Sequence, residues 1–90
     1  MEYEWDEKKA EANLLRHGVD FKSAIEFDWE TALEARDDRF DYGEERWIAL
    51  GLIHKRLHVL VYTLRGSKIR IISLRRANKR ERAFYEKETG

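Results

Sequence analysis

Alternation of apolar and polar positions dominates the second half of the chain. In "LHVLVYTLR" (57–65), Leu57, Val59 and Val61 fall on one side while Leu60 and Tyr62 fall on the other. A strand with apolar groups on both sides belongs in the middle of a sheet, with each face covered. "RWIALGLI" before it and "KIRIISLRR" after it are equally rich in β-formers, and turns around His54–Arg56 and Gly66–Ser67 join the three into a meander. "TALEARD" supplies a fourth antiparallel strand at its start.

The first third follows a different period. "EYEWD" alternates acids with Tyr3 and Trp5, which predicts a short edge strand with its aromatic side inward. Asp6 is placed to cap a helix through "EKKAEANLLRH", in which Ala10, Leu14 and His17 share a face and Gly18 provides a left-handed stop. From Asp20 a second helix is expected, with Phe21, Ala24 and Ile25 at helical spacing, so the two form a helical hairpin. At the other end Asn78 precedes Glu81 by three residues, the spacing of a capping box opening a C-terminal helix. The pattern therefore predicts an α+β fold: a short N-terminal strand, a helical hairpin, a four-stranded antiparallel meander and a C-terminal helix. Residues 1–90 are read as a single domain.

Composition narrows the chemistry. A chain of 90 residues buries about 60–65% of the surface its unfolded form exposes, enough for one modest core. With no cysteine, disulfides and zinc-thiolate sites are excluded, and three scattered histidines make a poor metal cage. No metal is expected. No apolar run approaches the roughly 18–20 residues of a membrane span, and the acidic N-terminus lacks the regions of a signal peptide, so a cytoplasmic protein without membrane attachment is expected.

A formal charge of zero conceals a division. Residues 1–45 carry six basic and fifteen acidic side chains, whereas residues 46–90 carry twelve basic and three acidic. Either the halves attract one another within the fold, or the basic half presents a patch to a polyanion. Eight Lys or Arg residues fall between Arg65 and Arg82, with Glu81 the single acid among them. Arg70 and Arg75 lie on the last strand, Arg76 at its exit, and the final helix starts within a few residues, so strand end and helix start converge. Strict alternation sets Arg70 and Arg75 on opposite sheet faces unless a bulge intervenes.

Such a set suits RNA cleavage without a metal. The reaction needs a base for the ribose 2′-hydroxyl, cations for the pentacoordinate phosphorane, and a proton for the leaving oxygen. Arginine matches non-bridging phosphate oxygens and stays charged. Arg70 and Arg75 are the candidates for that role, with Glu81 and Tyr85, four residues apart on one helical face, as candidates for proton transfer. A solvated Arg–Glu contact and a core-edge tyrosine are the ordinary alternatives. Lys9, Asn13 and His17 make a polar stripe along the first helix that could wall an RNA groove. His17 also titrates nearest neutrality, and a helix C-terminus favours its charged form. His54 and His58 flank a turn and point to nothing specific.

Three blocks of the chain carry a resemblance. "WDEKKAEANLLRHGVDFKSA", with W-D-x-x-K followed by Asn, His-Gly-Val and Phe, resembles the opening signature of the BrnT toxin family, and "GEERW" and "IRIISLRRANKRERAFYE" resemble its middle and closing signatures. The resemblance implies a RelE-like fold and a ribonuclease toxin of a type II toxin–antitoxin pair that cleaves RNA and arrests translation. It also implies neutralisation by a ribbon-helix-helix antitoxin, BrnA, through whose complex alone promoter DNA is bound. The polar residues matched are Lys9, Asn13, His17, Glu45, Arg46, Arg70, Arg75, Glu81 and Tyr85. The expected catalytic set is Arg70, Arg75, Glu81, Tyr85 and His17, and the expected RNA contacts are Lys9, Asn13, Arg46, Arg76 and Lys79. The sequence departs from the family pattern at Leu74, where a small residue is usual, and at Trp29-Glu30, where an Asp-Pro turn is common. A non-catalytic module that binds nucleic acid or antitoxin is the alternative.

Overall fold

The computed structural model describes residues 1–90. Its strands are β1 (Glu2–Glu4), β2 (Leu33–Arg36), β3 (Trp47–Ile53), β4 (Arg56–Arg65) and β5 (Lys68–Arg76), and its α-helices are α1 (Glu7–His17) and α2 (Lys79–Thr89). The strands form one sheet in the order β1-β5-β4-β3-β2. β2 to β5 make the expected antiparallel meander, and β1 adds a fifth strand, parallel to β5. β4 is central, as its two apolar faces require.

The helix ends obey their local chemistry. Asp6 accepts the backbone N–H groups of Lys8 and Lys9, and Gly18, at φ 71°, closes α1 by donating to the Leu14 carbonyl. Asn78 and Glu81 form the reciprocal capping box of α2.

The second arm of the predicted hairpin is a 3₁₀ helix, Phe21–Glu26, rather than an α-helix. Six residues end where Phe27 turns extended, too short to repay α-helix nucleation. In a 3₁₀ turn residues three apart eclipse, so Phe21 and Ala24 both point into the core and Ile25 is left in solvent. The inward face of α1 also differs from expectation. Leu14 is 47% exposed, and the buried position is Asn13, one residue earlier.

Each face of the sheet carries its own core. On the α1 side, Val19, Phe21, Ala24 and Phe27 pack against Ala49, Leu60, Tyr62, Ile69, Ile71 and Leu74. Gly51 is required there, because a Cβ would overlap the Phe27 ring. On the α2 side, Tyr85 and Ala77 cover Leu57 and Val59, flanked by Leu33, Ile48, Leu50 and Leu52.

One irregularity sets the placement of the charged side chains. Val61 pairs with Ser73, yet Tyr62 pairs with Ile71, so Ile72 is an extra residue in β5. The bulge changes the parity of the strand. Ile69, Ile71 and Leu74 therefore share the α1-side core, while Arg70, opposite Thr63, and Arg75, opposite Val59, both project from the α2 side.

Candidate functional site

α1 crosses the outer edge of β5 where β1 has ended, since β1 pairs only as far as Arg70. Edge groups left there need partners, and Asn13 supplies them. Its Nδ2 donates to the carbonyls of Leu74 at 2.7 Å and Val19 at 3.1 Å, and its Oδ1 accepts the Leu74 N–H at 3.2 Å. The amide acts as one further rung of the sheet. Asn13, 7% exposed, thereby spends its amide on the backbone, a structural use that the polar stripe alone does not show.

Above this rung lies a hollow of about 220 Å³, lined by Lys9, Ala12, Asn13 itself, Arg16, His17 and the bulge residues Ile72 and Ser73. Neither Lys9 nor Arg16 takes part in any of the eight ion pairs of the molecule. Burial, followed by the charges of Arg16 and Arg75, holds His17 below the ordinary histidine value. These effects oppose the helix-end preference for imidazolium and favour the neutral ring, a proton acceptor.

Arg75 faces Glu81 in a two-pronged pair, Nη1 to Oε1 at 2.9 Å and Nη2 to Oε2 at 2.8 Å. Oε1 also receives the Asn78 N–H at 2.8 Å. The Arg75 guanidinium is the main reason the Glu81 carboxyl sits below the usual range. A carboxylate so occupied is a weak base, and its evident work is to aim Arg75 and cap the start of α2. The pair remains open to solvent, with side chains 35% and 25% exposed.

The other candidates are dispersed. Arg70 shares the face of Arg75 but lies roughly 13–16 Å along the strand at about 3.3 Å per residue, and it is bonded to Glu4 at 2.6 Å. The Tyr85 hydroxyl donates to the Thr31 carbonyl at 2.9 Å, and the ring is buried in the α2-side core. Arg46 lies over the Tyr42 ring, 3.9 Å from its centroid, and Glu45 pairs with Arg36 at 3.1 Å. Lys79 and Arg76 are exposed around the β5 exit. Half of the eight ion pairs join the acidic half of the chain to the basic half, so part of the charge division is consumed internally.

Three contributors escape a reading of the sequence. Arg16 looks like any exposed helical arginine until the bulge is brought beside it. Ser73 owes its position to that same bulge. Arg39 lies in the loop after β2, and its charge bears on Arg75. No group of three or more His, Asp or Glu side chains is arranged to hold a metal ion.

The fold is that of a small α+β protein with an open basic hollow along one edge of its sheet. Residues 5–81 match the family described as the ribonuclease toxin BrnT of type II toxin–antitoxin systems, and the chain belongs to that family. No curated protein matches the sequence.

Proposed function

We propose that this chain is a metal-independent endoribonuclease whose reaction centre is the hollow between α1 and the β5 bulge. The observation that carries the reading is His17, biased toward its neutral form beside two unpaired cations, Lys9 and Arg16, and within the field of Arg75. In this mechanism the His17 imidazole takes the proton of a ribose 2′-hydroxyl. The 2′-oxygen attacks the adjacent phosphorus, the bond to the 5′-oxygen breaks, and the products end in a 2′,3′-cyclic phosphate and a 5′-hydroxyl. Water in the open hollow protonates the departing oxygen. Arg75, held in aim by Glu81, and the Lys9 and Arg16 cations neutralise the charge that grows on the phosphorane. Arg70 and Arg46 extend the binding surface. Tyr85 anchors α2 and thereby the start of that helix, where Glu81 resides.

In the cell such an activity arrests translation, acts in the cytoplasm and requires a dedicated inhibitor, for which a ribbon-helix-helix antitoxin of the BrnA kind is the partner. A RelE-like arrangement of helix on antiparallel sheet agrees with this assignment. The test is end-labelled RNA incubated with purified protein in excess chelator. Fragments carrying cyclic phosphate ends are expected, with a loss of about 10²–10³ in rate for Arg75→Ala. RNA that is retarded on a gel but stays whole would replace the nuclease with a binding module.

A further inference from the structure

A second hollow, of about 450 Å³, opens on the α1 side of the sheet between Gly18, the 3₁₀ segment and the β3–β4 hairpin. Its polar lining includes Asp20, His54, Arg56, His58 and Arg76. His58 is only 6% exposed. Its Nδ1 lies 2.7 Å from the Arg56 carbonyl, which can only accept, so Nδ1 carries the proton and Nε2 presents a lone pair. Nε2 has no hydrogen-bond partner in the protein. Arg76 is the cross-strand neighbour of His58, and neither Arg76 nor Arg56 takes part in an ion pair.

A buried imidazole with an unpartnered nitrogen, beside two arginines that take part in no ion pair, brings together the groups that an anion requires. We propose that this hollow is a second phosphate subsite, which holds a backbone phosphate of the RNA while the scissile one lies at His17. Identification of the anion as RNA rests on the reaction proposed above. Consecutive strand residues point to opposite faces, so Arg76 opens on the second hollow while Arg75 projects from the other face, near enough for its charge to reach His17 at the first. A polynucleotide passing round the end of α1 meets both hollows. Asp20, which caps the 3₁₀ segment, and the carbonyl end of α1 oppose the anion, while Arg56, Arg76 and, when charged, His54 favour it. Burial first, and after it the charges of Arg76 and Arg56, lower the His58 imidazole below the ordinary histidine value against the opposing bond to the Arg56 carbonyl, and a bound phosphate would draw a proton onto Nε2. Occupancy is therefore stronger at low pH.

The experiment has two arms. In the first, inorganic phosphate is titrated into the full chain while the His58 imidazole resonances are followed by NMR. A saturable shift with an upward move of the His58 titration is expected, reduced or lost in Arg76→Ala and in Arg56→Ala. In the second, binding of an uncleavable 2′-O-methyl RNA is measured against salt, and Arg76→Ala is expected to lower the slope of log K on log salt by about one. An unmoved His58 with wild-type RNA affinity in Arg76→Ala overturns the subsite and leaves the nuclease assignment untouched. A phosphate-dependent His58 shift in a protein that neither binds nor cuts RNA keeps the anion site and overturns RNA as its ligand.

Discussion

Glu81 receives both prongs of Arg75 and, through the same Oε1, the N–H that opens α2. One carboxylate thus joins the strand bearing the arginine to the helix that follows it, and fixes the guanidinium without enclosing it.

That role separates two functions a glutamate could have here. If Glu81 only aims Arg75, Glu81→Gln keeps RNA cleavage within about tenfold of the wild type, whereas Arg75→Ala loses about 10²–10³. A glutamate acting as the base would make the two losses similar. Glu81→Ala, which also removes half of the capping box, is expected to cost about 1–2 kcal/mol in urea unfolding.

The depressed titration of His17 predicts the shape of the pH–rate profile. Because the neutral ring is the reactive form, cleavage rises with pH through a value below 6.5 and then levels. His17→Gln should lower the plateau and abolish the acid limb. An unchanged acid limb in that variant assigns the base elsewhere.

Asn13→Leu leaves the buried N–H and C=O of Leu74 without partners and is expected to destabilise the chain by about 2–4 kcal/mol. Hydrogen exchange at the Leu74 amide should accelerate with it. A change under about 0.5 kcal/mol would show that water replaces the amide and that Asn13 is free for another task.

Acid should loosen the β2–β3 loop. Asp37, whose side chain is 1% exposed, is held down to about 2 chiefly by its bonds to Arg39, with a further bond from Tyr42. A carboxyl lowered by folding stabilises the native state above its ordinary value of 3.8, and that contribution disappears as pH falls from there toward 2. Arg39 is 65% exposed, so solvent screening reduces the effect to about 1–2 kcal/mol. Denaturation of Asp37→Asn and wild type at pH 7 and pH 2.5 measures it, with the gap between them closing in acid.

The meander, the edge strand and both helix caps were legible because each is written in adjacent residues: alternation in β4, Asp6 before α1, Asn78 and Glu81 in α2. Other features depend on partners remote in the chain. A polar Asn13 within a polar helix reads as exposed until the unpaired edge of β5 is beside it. Ile25 resembles a core residue until the turn tightens to 3₁₀. The shared face of Arg70 and Arg75 was conditional on a bulge, and two neighbouring isoleucines, Ile71 and Ile72, give no local sign of which is supernumerary. Tyr85 and Glu81 do share a helical side, but the buried tyrosine gives its hydroxyl to the Thr31 carbonyl, and of the two only the glutamate bonds an arginine.

The supernumerary Ile72 is not what keeps Leu74 inward or Arg75 outward: with it deleted, Ile71 and Leu74 would stand two residues apart and every later side chain of β5 would keep its side. What the deletion would remove is the bend in the strand edge against which Lys9, Arg16 and His17 gather. A shortened β5 would thus keep its hydrophobic seating and lose the shape of its rim.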